Sequence, residues 1–190
     1  MSEHIPLIIT FIVVALPLIW AVATYNNMVH LKYLCSNSWS GIDTELKRRY
    51  DLIPNLVEVV RGYARYENSV LLSVTEARAK AVASTGSPAT QAIDENNLVM
   101  SLRQLFGVVE KYPDLKASQQ FLNLQSELTN TEDRIQAARR FFNGNVRDFN
   151  TIVQSFPSNI IAAVFNFTPA EFFEIEDAIQ RTAPKVKLNS

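Results

Sequence analysis

Residues 117–156 read ASQQFLNLQSELTNTEDRIQAARRFFNGNVRDFNTIVQSF, and the spacing of their apolar and small side chains decides the fold. Ala117, Phe121, Leu124, Leu128, Thr131, Ile135, Ala138, Phe142, Asn145, Phe149, Ile152 and Phe156 follow one another in alternating steps of four and three. That repeat averages about 3.5 residues, close to the period of an α-helix and far from the period of two that marks a strand. Held over the whole stretch, it predicts one long helix packed at a shallow angle in a left-handed bundle.

Three further stripes lie N-terminal to it. Ile53, Leu56, Val57, Val60, Tyr63, Ala64, Glu67, Val70, Leu71, Val74, Ala77 and Ala81 predict a second long helix, and Leu98, Leu102, Leu105, Val109 and Tyr112 a shorter one. Met28, Leu31, Cys35, Ser38 and Ile42, with Leu34, Trp39 and Leu46 beside them, predict the first. Ser84-Thr85-Gly86-Ser87-Pro88 and Tyr112-Pro113-Asp114 carry turn chemistry between stripes. The reading is an all-α protein whose four amphipathic helices form one antiparallel bundle. The boundary at Arg49 to Pro54 is read as a turn, with Asp51 capping the next helix and Pro54 in its first turn; a kinked continuous helix is the alternative. Beyond Phe156, residues 155–159 stop the long helix and Ile160 to Phe167 is apolar almost throughout. Thr168-Pro169-Ala170-Glu171 has the signature of a capping box opening a short C-terminal helix, with Phe172, Phe173 and Ile175 on its apolar face.

Ile5 to Thr24 (IPLIITFIVVALPLIWAVAT) contains no charge, and its twenty residues match the thickness of a bilayer's hydrocarbon core, about 30 Å at 1.5 Å per residue. It is read as a transmembrane helix. A cleaved signal peptide is the alternative, since Ala21-Val22-Ala23 resembles a small-x-small cleavage site, but Ser2-Glu3-His4 supplies no basic leader. The expected organisation is an anchor over 1–25, a helical bundle over 26–182 and a flexible tail over 183–190. Lys32, Lys47, Arg48 and Arg49 follow the span and no Lys or Arg precedes it, which by the positive-inside rule puts the N-terminus outside and the domain in the cytoplasm of a single-pass cell-membrane protein.

The chain has 18 Lys and Arg against 19 Asp and Glu, so its charge balance implies no nucleic-acid partner. Cys35 is the only cysteine, which excludes an intramolecular disulfide, and His4 and His30 are the only histidines. No zinc site of the usual kind, nucleophile motif, phosphate loop or dinucleotide fingerprint is present. No enzyme activity, metal or cofactor is expected. The acidic run Glu171, Glu174, Glu176 and Asp177 is read as a solvated helix start.

Two features remain as candidate sites. Arg48, Asp51, Asn55 and Glu58 could face Glu132, Gln136, Arg139, Asn143 and Asn150; both signs occur in each group, so the reading is a structural polar network centred on Arg48, Asp51, Asn55, Glu132, Arg139 and Asn143. The second is Phe156, Ile160, Ile161, Phe165, Phe167, Phe172 and Phe173, read either as a plug for one end of the bundle or as an interaction patch for another subunit, another protein or the bilayer.

Arg48-Arg49-Tyr50-Asp51-Leu52-Ile53-Pro54-Asn55-Leu56-Val57-Glu58, then Gly62-Tyr63-Ala64 and Glu67, resembles the signature of the LemA family. The resemblance starts at Tyr25-Asn26-Asn27-Met28-Val29 and continues through Ala77-Arg78-Ala79. Glu132-Asp133-Arg134-Ile135 and Ala138-Arg139-Arg140-Phe141-Phe142-Asn143 extend it, and Asn150, Phe156-Pro157-Ser158 and Phe172-Phe173-Glu174 close it. It implies a mostly bacterial family of single-span membrane proteins with helical-bundle domains and no established enzymatic activity. It also implies proximity to membrane proteases and envelope maintenance, with one branch in magnetosome formation. The functional expectation is a membrane-anchored scaffold or adaptor that self-associates as a homo-oligomer or contacts another envelope protein, such as a membrane protease. The alternative is a small-molecule-sensing bundle coupled to the anchor; an enzyme using Glu132 and Arg139 ranks below both.

Overall fold

The computed structural model describes residues 4–64 and 66–175, with side chains from residue 11 onward, and contains no strand among them. Its helices are α1 (His4–Tyr63), α2 (Asn68–Ala83), α3 (Pro88–Val109), α4 (Pro113–Lys116), α5 (Gln119–Gln154) and α6 (Ser158–Val164). The all-helical expectation holds, while several boundaries differ from the sequence reading.

The first correction concerns Pro54. α1 runs through it without interruption, so the expected turn at 49–54 is absent and Asp51 lies exposed in mid-helix instead of capping a new one. Proline has no N–H to give to the carbonyl four residues earlier, here that of Tyr50. The Arg78 side chain takes that place, its Nε donating to the Tyr50 carbonyl at 2.7 Å. The orphaned acceptor is satisfied from a neighbouring helix, and the helix has no need to end.

The chain turns back only after Tyr63. The stripe from Ile53 to Ala81 is therefore divided between the end of α1 and α2. The Glu67 carbonyl accepts from Val70 and Leu71 at 3.1 and 3.2 Å to start the new helix. Tyr50 Oη lies 3.4 Å from the Ala81 carbonyl, which with the Arg78 contact fixes α1 and α2 as antiparallel neighbours. α3 starts at Pro88, behind an Ser87 N-cap whose hydroxyl accepts from the Thr90 N–H at 3.5 Å. That start is well ahead of Leu98, where the recognised stripe begins.

The second correction is at the C-terminal end. Residues 168–175 are not helical. Phe172 and Glu174 are exposed while Phe173 and Ile175 are buried, an alternation with the period of an extended chain. The expected helix beyond 175 and the tail at 183–190 lie outside the described residues.

The chain divides into two compact units, Met1–Thr44 with Ala137–Phe172 and Glu45–Gln136 with Phe173–Ser190. The core of the first comprises Met28, Cys35 and Ile42 of α1 with Phe142, Val146, Phe149 and Val153 of α5 and Ala162 of α6. Trp39 packs on Phe142 with ring centroids 5.2 Å apart. Asn150 pins the chain after α6 by a reciprocal pair, its amide donating to the Ala170 carbonyl at 2.9 Å and its oxygen accepting from the Ala170 N–H at 2.7 Å. In the second unit, Leu46, Ile53, Leu56 and Val60 of α1 are buried, as are Leu71 and Val74 of α2, Leu98, Leu102 and Leu105 of α3, and Phe121, Leu128 and Ile135 of α5. Along α5 the predicted stripe is buried at Phe121, Leu128, Thr131, Ile135, Phe142 and Phe149 and half-buried at Leu124, Ala138 and Ile152, while Val146 and Val153 are buried beside the expected Asn145 and Ile152. A straight helix drifts against a 3.5-residue repeat, so its buried line must step sideways.

Candidate functional site

Four helical segments of the second unit converge on a buried charged cluster. Arg49 of α1 is fully buried, and its guanidinium donates to Glu95 of α3 through Nη2 and to Glu132 of α5 through Nη1 at 3.0 Å. Tyr50, the next residue of α1, donates its hydroxyl to the other Glu95 oxygen and reaches the Ala81 carbonyl of α2. Gln91, one turn before Glu95 and also buried, hydrogen-bonds the Tyr50 phenol. One cation thus meets two carboxylates in a place closed to water.

Burial pushes the Glu95 carboxyl above the usual carboxylate range, although Arg49 and Tyr50 pull it down. It also raises the Tyr50 phenol, with the Glu95 charge acting in the same direction. For Arg49, burial opposes the charge, and Glu132 and Glu95 more than offset it. Arg49 Nε and Glu45 Oε2 are buried without a hydrogen-bond partner.

A raised carboxyl holds its proton to higher pH in the folded protein than in the unfolded chain. Its contribution to stability is complete below the ordinary carboxylate pKa and is lost as pH rises through the folded value. Glu95→Gln preserves the side chain's shape and removes that titration. From the ordinary carboxylate range upward the variant should therefore gain stability relative to the parent as pH rises. Urea midpoints of both proteins across that range check this, and a constant difference would contradict it.

The sequence-predicted polar residues fall in several environments. Glu132 belongs to the buried cluster. Arg48 is about half exposed and pairs with Glu127 at 3.0 Å, while Asp51 and Asn55 are exposed. Arg139 and Asn143 belong to the first unit, where both are half-buried and have partners. Gln91 and Glu95 were not named from the sequence, and Arg49 and Tyr50 were named only for the charge bias and the family signature, not as site residues. Their signal was present: the α3 stripe Leu98, Leu102, Leu105 continues backwards through Glu95 to Gln91 at the same spacing, and Arg49 occupies the step between Leu46 and Ile53.

The aromatic candidates also divide. Phe173 is fully buried in the second unit. In the first, Phe167 is half-buried, edge-on to Tyr25 and Phe149 at 5.8 and 6.3 Å, with the Lys32 amine over its ring at 5.8 Å. Phe165 packs on Tyr25 with ring centroids 4.6 Å apart and the rings tilted by 52°, yet stays about half exposed, and Ile161 is half-buried. Phe156, Ile160 and Phe172 are exposed.

A pocket of about 300 Å³ adjoins the cluster, lined by Val99, Leu102, Arg103, Phe106, Leu128 and Glu132 among others. Among the described residues no group of three His, Cys, Asp or Glu side chains is gathered as a metal site would require. The cluster lacks a nucleophile; what it can do chemically is hold charge and a proton at the meeting point of four helical segments.

The sequence model of the LemA family matches residues 38–188. Protein LemA of Metamycoplasma hominis is 26% identical over 153 residues, covering 80% of this chain and 69% of that protein. Magnetosome protein MamQ of Magnetospirillum gryphiswaldense is 23% identical, and MamQ 2 of Paramagnetospirillum magneticum 24%, over 81% of this chain. This chain spans 66% of the length of each of those two magnetosome proteins, just under two thirds. Because the family match takes in Arg49, Tyr50, Glu95 and Glu132 along with most of the helical body, the chain belongs to the LemA family.

Proposed function

We propose that this protein is a single-pass, membrane-anchored scaffold or adaptor whose helical body, a four-helix bundle in its second unit, acts by protein–protein contact and self-associates. The observation that carries the reading is the continuity of α1. One helix presents exposed apolar side chains from Phe11 to Val22 and then supplies Arg49 to the buried cluster, so the segment suited to lipid and the packed body are one element. Relatives named as magnetosome proteins support a role in organising a cellular structure. Catalysis has no part in the reading. Lys32, Lys47 and Arg48 support a cytoplasmic body with the N-terminus outside.

Crosslinking the full chain in native membranes tests the proposal. Ladders of discrete multiples, or adducts with a second envelope protein, are expected. Recovery of monomer alone under all conditions would overturn it.

A second reading rests on the pocket beside Glu132, whose mixed apolar and charged lining has the size of a small-ligand site. In that reading a bound small molecule would bias the helices meeting at the cluster. A ligand-dependent rise in melting temperature would favour it.

A further inference from the structure

The first unit carries a second apolar surface beside the end of the span, and its position follows from helix register. Trp39 and Phe142 are in ring contact, which sets α1 against α5. Tyr25 lies fourteen residues before Trp39, and Phe156 fourteen residues after Phe142. At 1.5 Å per residue each interval is about 21 Å along its helix, so antiparallel helices in this register bring Phe156 level with Tyr25. The aromatic contacts agree: after α6 the chain returns to α1 with Phe165 and Phe167 against Tyr25.

That level is where α1 changes surroundings. From Phe11 to Val22 its large apolar side chains are exposed, and burial against protein begins at Thr24 and Met28. The segment joining α5 to α6, and α6 itself, expose Phe156 (81%), Ile160 (54%), Val164 (66%) and Phe165 (54%) at this same end. Ile160 and Val164 are one turn apart on α6 and share a face. No charged residue occurs between Asp148 and Glu171. Lys32 lies seven residues beyond Tyr25, about 10 Å further along α1 and within reach of a headgroup layer.

We propose that the α5–α6 turn is a second membrane contact, with Phe156, Ile160, Val164 and Phe165 dipping into the interfacial layer of the bilayer beside the exit of α1. This rests on the reading of α1 as a membrane span. Lipid is the occupant because the patch continues the exposed apolar run of α1 and offers no charge to fix the register of a protein partner. The contact would hold the body at a defined tilt, since two points restrain it where one span would leave it free to swing.

The test uses the full chain carrying Cys35→Ser, reconstituted in phosphatidylcholine–phosphatidylglycerol vesicles and nitroxide-labelled at one of three substitutions: Ile160→Cys, Val14→Cys within the span, or Ala137→Cys on an exposed part of α5. Accessibility to oxygen, which concentrates in lipid, is compared with accessibility to a water-soluble nickel chelate. Labels at 160 and 14 should both show an oxygen-to-nickel ratio severalfold above that at 137, and Val164→Cys should repeat the result at 160. A label at 160 that behaves like 137 while 14 is in lipid overturns the second contact alone. Water access at 14 overturns the span and the contact together. Shielding at 160 that disappears when the protein is diluted in lipid assigns the patch to a protein neighbour and also overturns the proposal.

Discussion

Replacing Arg49 by alanine is expected to lower stability by about 3–5 kcal/mol, the loss typical of breaking a buried ion pair from one side. The magnitude follows from what remains. Glu95, fully buried, would keep only the Tyr50 hydroxyl as a donor near its charge, and Glu132 would lose its contact at 3.0 Å. Arg48→Ala, one residue away, removes a pair whose side chains are about half exposed and should cost no more than about 1 kcal/mol. Adding Glu95→Gln to Arg49→Ala should recover part of the loss, because the buried charge left behind is then gone. Urea unfolding of the parent, Arg48→Ala, Arg49→Ala, Glu95→Gln and the double variant in the same detergent provides the comparison, with the last three and the parent closing a thermodynamic cycle on the pair. A loss below about 1 kcal/mol for Arg49→Ala would mean that water reaches the cluster and that it does not clamp the helices. The expected loss also does not make the cluster the cheapest source of stability, since apolar replacements of whole buried ion pairs are often neutral or better. What the cluster adds is register: a carboxylate on α3 and another on α5 can both reach one guanidinium on α1 in only one alignment of the three helices.

The limits of the sequence reading have the same physical origin. Periodicity located α5 almost to its ends because its core line from Phe121 to Ile135 is apolar except at Thr131, whose hydroxyl is satisfied within the helix by the Glu127 carbonyl at 2.8 Å. It stopped short on α3 because Glu95 and Gln91 hold core positions, and polar residues there break the apolar pattern even though their spacing is unchanged. Arg49 did the same on α1. Without it the stripe from Met28 to Ile42 and the stripe from Ile53 onward look like two helices, and Pro54 supplies a plausible break. With it they form one line through Leu46, Arg49 and Ile53. The donor that makes Pro54 tolerable comes from Arg78, distant in sequence, so no local rule could have supplied it. The polar network was legible as a kind of site, but its members were chosen by proximity to Pro54, which selected Arg48 on the exposed face over the buried Arg49.

Phe173→Ala should cost about 3–5 kcal/mol, and Phe172→Ala well under half as much. In a helix these neighbours would lie about 100° apart, both within the broad apolar side read for that helix, and either truncation would be felt. In the extended chain they point to opposite sides: Phe173 is fully buried in the second unit, and Phe172 is 39% exposed. The segment is held there by Ile175, the next residue on the same side, and by the Asn96 amide, which donates to the Glu174 carbonyl at 3.3 Å. A truncated Phe173 leaves a cavity that a segment so tied can only partly close, and cavity volume adds to the lost transfer energy. Thermal or urea unfolding gives the magnitudes, and amide exchange gives the place, with protection falling first around Asn96 and residues 173–175. Equal losses for the two variants would mean that both rings are packed alike, as on one face of the helix first read from Thr168-Pro169-Ala170-Glu171.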